Sequence, residues 1–148
     1  MISVRRMQEA DAEAVSKIEA DVFSRPWSKM GFLDAINLEN TIFLIAEEDK
    51  KILGYVGMYI SLDEGEITNV AVSSEARGRG IGQNLIERLK REAEQKSIAQ
   101  IILEVRVSNA SAIRLYQRNG FVICGIRKGF YDFPKEDAYI MTYTKDFH

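Results

Sequence analysis

The stretch that decides the fold is Arg77-Gly78-Arg79-Gly80-Ile81-Gly82, which follows the β-rich segment Glu66-Ile67-Thr68-Asn69-Val70-Ala71-Val72. Glycines at alternate positions remove the side chains from a turn between a predicted strand and a predicted helix. Such a turn presents backbone N–H groups at a helix N-terminus, where they bind anions. With two arginines inside the turn, the sequence predicts a cradle for a phosphate or pyrophosphate group.

Four helices are predicted around this turn. The helix that follows it is amphipathic, with apolar residues at helical spacing at Ile81, Leu85, Ile86, Leu89 and Ala93. A helix over about 11–23 is expected to begin at Asp11 and to bury Ala14, Val15, Ile18 and Val22. Ser28 is expected to cap a second helix, and Gly120 to close one that begins at Asn109.

The remaining β-rich segments predict a mixed sheet with helices packed on its faces. These segments lie at about 2–7, 41–47, 52–62, 66–72, 100–107, 121–127 and 138–144. The sequence has no repeat, linker or low-complexity segment, so we expect a single domain over 1–148.

Composition narrows the class of protein. The chain has 148 residues, 46% of them hydrophobic and 28% charged, as in soluble globular domains. Its net charge of −2 gives no overall attraction to nucleic acid or to anionic membranes, and no apolar run approaches the ~20 residues of a membrane span. The single cysteine, Cys124, cannot form an internal disulfide and is expected to be a small buried residue. We therefore expect a cytoplasmic protein.

The only histidine is His148, the last residue. Histidine-based triads, Cys–His nucleophiles and histidine-rich zinc sites are therefore not expected, and no metal site is predicted. Any general base must be a carboxylate, a tyrosine, a lysine or an ordered water.

Two familiar phosphate loops do not fit the glycine turn. A P-loop requires Gly-Lys-Ser/Thr, but Gly82 is followed by Gln83 and Asn84. A dinucleotide fingerprint requires a third glycine or alanine where this chain has Gln83. A structural glycine turn with solvated arginines remains the alternative.

The pattern Arg77-x-x-Gly80-x-Gly82 resembles the acyl-coenzyme A motif of the GCN5-related N-acetyltransferase (GNAT) family. More narrowly, the chain is similar to the RimI branch, bacterial N-terminal acetyltransferases that modify a ribosomal protein of the small subunit. The similarity extends, in the family's order, over nearly the whole chain. Its matching segments are Pro26-Trp27-Ser28, Asn69-Val70-Ala71-Val72, Leu103-Glu104-Val105-Arg106, 108–116, Asn119-Gly120-Phe121 and Glu136-Asp137-Ala138.

The resemblance implies the GNAT fold, a mixed, mostly antiparallel sheet of six to seven strands flanked by about four helices. It implies direct acetyl transfer from acetyl-CoA, a cosubstrate that needs no metal, to an amine in a ternary complex. By the same resemblance the turn holds the pyrophosphate, Val70, Ala71 and Val72 offer backbone groups to the pantetheine arm and acetyl carbonyl, and Asn109 contacts the cofactor. The implied turn residues are Arg77, Gly78, Arg79, Gly80, Ile81, Gly82 and Gln83.

Glu104 and Tyr116 are the candidate catalytic residues. Strand alternation places Glu104 on the face opposite Leu103 and Val105, where it could simply pair with Arg106 at the surface. The resemblance makes Glu104 the general base, acting directly or through a water. Tyr116 follows Asn109 by two helical turns; it is either a core tyrosine or, as the resemblance implies, the acid that protonates the leaving thiolate.

The acceptor is the least determined part. A free α-amine has a pKa of about 7.7–8.0 and a lysine about 10.4, so a single carboxylate base suits an N-terminal acceptor better. By resemblance, residues 23–27 and Phe130-Tyr131 wall the amine's entrance, although Trp27 could equally be a core anchor. The implied partner is the N-terminal segment of a ribosomal protein, with alanine first, and neither nucleic acid nor membrane is expected. A lysine or small-amine acetyltransferase stays open, as does a CoA-binding module without turnover, against which Glu104 and Tyr116 together argue.

Overall fold

The computed structural model describes residues 1–145; His148, the sole histidine, lies outside the described residues. One seven-stranded sheet carries four α-helices, which confirms the predicted fold class. The strands are β1 (Ser3–Arg6), β2 (Thr41–Glu48), β3 (Lys51–Ser61), β4 (Glu64–Val72), β5 (Gln100–Arg106), β6 (Val122–Tyr131) and β7 (Glu136–Thr144). The helices are α1 (Ala12–Val22), α2 (Lys29–Ile36), α3 (Ile81–Gln95) and α4 (Ala110–Arg118). None of these helices is long and apolar enough to cross a membrane.

The sheet is split between its two central strands. Its order is β1-β2-β3-β4-β5-β7-β6, and every neighbouring pair is antiparallel except β4 and β5. Those two strands pair in parallel over three positions only, ending at Glu66 opposite Ile102. Both strands then continue, β4 to Val72 and β5 to Arg106, without pairing to each other. The result is a cleft between the carboxyl halves of the two strands.

A β-bulge bends β4 at the mouth of this cleft. Asn69 lies opposite Gly57, but Ile67 lies opposite Met58, so Thr68 is an extra residue with no partner on β3. A bulge kinks its strand and increases the local twist. In β4 it turns residues 69–72 away from β5.

Two apolar cores hold the sheet between its helices. The first contains the predicted apolar face of α3, all five residues of which are buried, and it continues through Leu103, Val105 and Met141. The second lies under α1 and α2 and takes its strand residues from β2, β3 and β4, among them Phe43 and Tyr55. Because this second core stops at β4, the same face of β5 and β7 is left for the cleft.

Three local predictions were wrong. Asp11 stands in the N-cap position of α1 as predicted, but its side chain does not cap the helix: it accepts from the Gln8 N–H at 2.7 Å and pairs with Arg5 at 2.8 Å. Cys124 is exposed: it lies at a register shift in the edge strand β6, none of whose residues is buried. In α1, Val15 and Ile18 are buried as predicted, but Ala14 and Val22 are exposed and Glu19 takes a buried position.

Candidate active site

A cavity of about 600 Å³ opens at the split between β4 and β5. Six parts of the chain line it: Glu19 and Val22 of α1, the loop between α1 and α2, residues 66–70 of β4, residues 103–106 of β5, α4 with its cap Asn109, and the end of β6 with Asp132. Among the predicted site residues, Glu104, Tyr116, Asn109 and Val70 line this cavity together. The topology therefore collects residues that are up to 46 positions apart in the sequence, from Val70 to Tyr116.

The glycine turn lies just beyond the carboxyl end of β4 and leads into α3. Gly78 and Gly80 have φ of +81° and +76°, in the left-handed region that favours glycine. A Cβ placed at either glycine would meet no atom of the described residues within 4 Å, so the space above the turn is open. The first internal bond of α3 runs from the Asn84 N–H to the Gly80 carbonyl at 3.1 Å. The N–H groups of residues 81–83 are left without an intrahelical acceptor at the positive end of the helix dipole, which is the geometry that the predicted anion cradle requires.

The side chains around the turn differ in how free they are. Arg79 donates to both carboxylate oxygens of Glu48, at 2.8 and 2.9 Å, and Gln83 exchanges hydrogen bonds with Asn119 at 2.9 and 3.1 Å. Gly82 packs against α4, where a Cβ would come within 2.9 Å of Leu115 Cδ2. Arg77 is exposed and forms no ion pair with the described residues. Arg77 is therefore the guanidinium available to an anion on the cradle.

Glu104 lies on β5 with its side chain 15% exposed, facing the cavity. Its ion-pair partner is Arg127 of β6, with Nη1 3.6 Å from Oε2, and not Arg106, the alternative that the sequence left open. Burial raises the pKa of the Glu104 carboxyl, the nearby charge of Glu66 raises it further, and Arg127 opposes both. A carboxylate with a raised pKa is a better proton acceptor near neutral pH.

Tyr116 is 4% exposed and packs its ring on Phe121, with centroids 5.8 Å apart. It also lines the cavity, and its hydroxyl has no hydrogen-bond partner among residues 1–145. Burial and the neighbouring Tyr131 raise the pKa of the phenol, so it stays protonated at neutral pH. Packing and a proton-donating role are therefore compatible at this position.

Asn109 performs the capping role that its sequence position suggested. Its Oδ1 accepts from the Ala112 N–H at 3.2 Å at the start of α4. The structure gives its Nδ2 no partner among the described residues, so this donor is available to a ligand in the cavity. On β4, Ala71 is buried in the second core while Val70 and Val72 are half-buried, so their predicted contacts with a cofactor rest on the backbone.

Two segments that were predicted to wall an acceptor entrance supply lining residues of the cavity, the second of them at the end of β6. The first is the α1–α2 loop, in which Trp27 packs on Phe32, Phe43 and Tyr59 and also lines the cavity, so it is both a core anchor and a wall residue. The second leads into the β6–β7 loop, which Arg106 holds through the Pro134 carbonyl at 2.9 Å and the Tyr131 ring at 4.3 Å.

Three residues that bear on the site were missed in the sequence. Arg127 was missed because its pairing with Glu104 spans two strand positions in a sheet whose order is not local. Glu66 was taken only as part of a strand, although it lines the cavity beside Glu104. Glu19 had a signal: it lies four residues after Val15, on the buried face of α1. Among the described residues, no group of three or more acidic, histidine or cysteine side chains is placed to hold a metal ion.

The sheet is split beside a bulged central strand, a helix N-terminus presents free N–H groups, and one cavity is lined by a carboxylate and a phenol. Comparison with known proteins identifies the class of protein that this fold and site define. The profile of the acetyltransferase (GNAT) family matches residues 12–121. A Bacillus subtilis (strain 168) relative, whose name provisionally describes it as a ribosomal protein bS18-alanine N-acetyltransferase, is 39% identical over 96% of this chain and 95% of its own length. This chain belongs to the acetyltransferase (GNAT) family, which confirms the predicted family and enzyme class.

Solved structures agree with this assignment. The crystal structure of the ribosomal-protein-S18-alanine N-acetyltransferase from Escherichia coli superposes with a TM-score of 0.91 at 31% identity, covering all of this chain and 96% of that one. Arabidopsis thaliana NAA60 in complex with acetyl-CoA shares the fold, with a TM-score of 0.88 at 23% identity over 98% of this chain and 100% of its own.

Proposed function

We propose that this chain transfers an acetyl group from acetyl-CoA to the N-terminal α-amine of a ribosomal protein of the small subunit, with alanine as the first residue. The bacterial relatives named for this reaction match it over nearly their whole lengths. The observation that carries the proposal is that Glu104 and the free hydroxyl of Tyr116 line one cavity at the β4–β5 split, between two loop walls. The domain over 1–148 would act in the cytoplasm, without a metal.

The donor end of the site fits acetyl-CoA. The open cradle at Gly78 and Gly80 accommodates a pyrophosphate against unpaired N–H groups, and Arg77 adds a free positive charge. After the bulge, β4 still pairs with β3, but its edge towards β5 is unpaired and offers hydrogen-bonding groups to an extended arm; Asn109 offers its Nδ2. The thioester of acetyl-CoA supplies the activated acetyl group.

At the acceptor end, Glu104 takes the proton of the attacking amine. An α-ammonium loses a proton at about pH 7.7–8.0, so producing the neutral amine at pH 7 costs about 1 kcal/mol, against roughly 4–5 kcal/mol for lysine. The raised pKa of Glu104 suits the smaller task. Tyr116, held protonated by burial, donates to the leaving sulfur, whose conjugate thiol ionises near pH 8.5.

A panel of acceptors tests the proposal. The purified chain is incubated with acetyl-CoA and three peptides or amines: a ribosomal peptide with a free N-terminal alanine, the same peptide with a blocked N-terminus and an internal lysine, and spermidine. Mass spectrometry is expected to find acetylation on the α-amine of the first peptide only. A preference for the lysine peptide or for spermidine would replace the proposed acceptor with the alternative one.

Glu104→Gln is the matched control, because it keeps the shape of the side chain and removes the base. We expect turnover at pH 7 to fall at least tenfold while acetyl-CoA affinity, measured by calorimetry, stays within about twofold. Unchanged turnover would refute the base assignment. Tight acetyl-CoA binding with no turnover on any acceptor would favour the CoA-binding module.

A further inference from the structure

Glu19 is a buried carboxylate that the proposed chemistry does not use. It lies on α1, is 2% exposed and lines the cavity. No arginine or lysine pairs with it among residues 1–145. Its neighbours are instead hydrogen-bond donors from three other parts of the fold, so its position is set by what it accepts.

The carboxylate of Glu19 accepts hydrogen bonds from both sides of the cavity: the side assigned to acetyl-CoA and the side assigned to the amine that receives the acetyl group. Oε1 accepts from the hydroxyl of Tyr55 on β3. Oε2 accepts from the backbone N–H of Trp27, in the α1–α2 loop, at 2.8 Å. Asn69 of β4 places its Nδ2 3.4 and 3.5 Å from the two oxygens. One carboxylate thus joins the acceptor wall to two central strands.

The contact with Trp27 fixes the backbone of a loop that is otherwise held through side chains, by the Trp27 ring in the aromatic core and by Arg25, which pairs with Asp132. Phe23 donates its N–H to the Glu19 carbonyl at 2.9 Å as α1 ends. After that, the backbone N–H groups of Ser24 and Arg25 have no acceptor among the described residues, and Pro26 has no N–H. The next bonded N–H is that of Trp27, on Glu19.

The contact with Asn69 reaches the bulge in β4. Thr68, the extra residue of the bulge, donates its hydroxyl to Asn69 Oδ1 at 2.6 Å. Asn69 therefore has its Oδ1 bonded to the bulge and its Nδ2 directed at Glu19. Tyr55 and Asn69 thus link Glu19 to the central strands β3 and β4, and Trp27 links it to the α1–α2 loop on the side of the amine acceptor.

We propose that Glu19 is a positioning residue for the acceptor: by accepting from the Trp27 N–H it fixes the α1–α2 wall at the distance from β4 that the incoming amine requires. This inference rests on the proposed function, because it assigns that wall to the acceptor. The role requires a hydrogen-bond acceptor and not a charge, since every partner of Glu19 is a neutral donor.

Three variants of the full chain separate this role from simple stability. Glu19→Met keeps the volume and removes the acceptor; we expect the KM for the N-terminal peptide to rise at least tenfold while the KM for acetyl-CoA stays within twofold. Glu19→Gln keeps one oxygen for Trp27, with its amide donating to Tyr55, and is expected to restore the peptide KM to within threefold of wild type. Tyr55→Phe removes the other partner; we expect a lower melting temperature with a peptide KM near that of wild type.

Amide exchange in the wild-type protein gives an arm that needs no variant to fold. We expect the Trp27 N–H to exchange at least 100-fold more slowly than those of Ser24 and Arg25 in the same loop. Equal exchange at the three amides would overturn the inference, as would parallel rises in both KM values, or a Tyr55→Phe variant with the same peptide KM as Glu19→Met. Wild-type activity on the peptide tests the proposed function separately, so the two failures are distinguishable.

Discussion

Replacing Arg127 with glutamine is expected to shift the ionisation of Glu104, the proposed base. Arg127 is the cation that lowers the pKa of Glu104, against burial and the charge of Glu66, which raise it. Removing it leaves the two raising causes unopposed, so the pKa of Glu104 rises. The fraction of ionised base at a given acidic pH then falls, and the acid limb of the rate profile moves to higher pH.

The size of the shift follows from the geometry of the pair. Nη1 of Arg127 lies 3.6 Å from Oε2 of Glu104, but the arginine side chain is 55% exposed and solvent screens it. Such a half-exposed pair contributes roughly 0–1 kcal/mol. With about 1.36 kcal/mol per pKa unit, the limb should move up by at most about 0.7 pH units.

The assay is kcat/KM for the N-terminal peptide at saturating acetyl-CoA, from pH 5 to 9. The acceptor's own ionisation gives a limb near pH 7.7–8.0, which serves as an internal reference because Arg127 does not alter it. The other limb is that of Glu104, whose pKa is raised above the ordinary value of a carboxyl by burial and by Glu66. Arg127→Lys keeps the charge and should leave both limbs in place, while Glu66→Gln removes a raising cause and should move the Glu104 limb down. The reasoning fails if Arg127→Gln and Glu66→Gln move that limb in the same direction, or if the acceptor's limb moves instead.

Two further outcomes are expected. Tyr116→Phe should keep the melting temperature within about 2 °C, because the hydroxyl has no partner in the described structure, while kcat falls at least tenfold; an unchanged kcat would leave Tyr116 as a core residue only. Gly80→Trp projects its side chain into open space but strains a left-handed backbone at φ +76°, so its melting temperature should fall. Under conditions where the variant is folded, acetyl-CoA binding by calorimetry should be lost; micromolar affinity there would rule out the cradle.

Local chemistry made much of this fold predictable. The α3 face was predictable because five apolar residues repeat at helical spacing, and Ser28 was predictable because a cap acts within three residues, accepting from the Gly31 N–H at 3.1 Å. The prediction for Asp11 was wrong because a competing partner, Arg5, comes from a strand whose position depends on the whole sheet. A local sequence pattern indicates which nearby groups a side chain can bond to, but it does not indicate which distant residues the fold brings to that side chain.

The site was predictable to the extent that resemblance supplied its members. Glu104 and Tyr116 were named from the sequence, but the three-position β4–β5 pairing that lets them share a cavity depends on register, which the pattern does not specify. Cys124 was expected to be buried because its type usually is, and an edge strand exposes it. Glu19 shows the useful exception: a charged residue on an apolar helix face was itself a signal.

Because β4 and β5 pair over so short a stretch, the sheet consists of two parts joined along a short boundary. Strands β1–β4 pair with strands β5–β7 at three positions, so few backbone hydrogen bonds cross the boundary between the two parts. A molecule bound in the cleft at this boundary would contact both parts of the sheet and link them. Ligand at a hundredfold excess over its Kd stabilises a folded protein by about 2.7 kcal/mol. Here the contacts that provide this stabilisation would lie at the boundary between β4 and β5. Acetyl-CoA bound in the cleft would therefore also stabilise the junction between the two parts of the sheet.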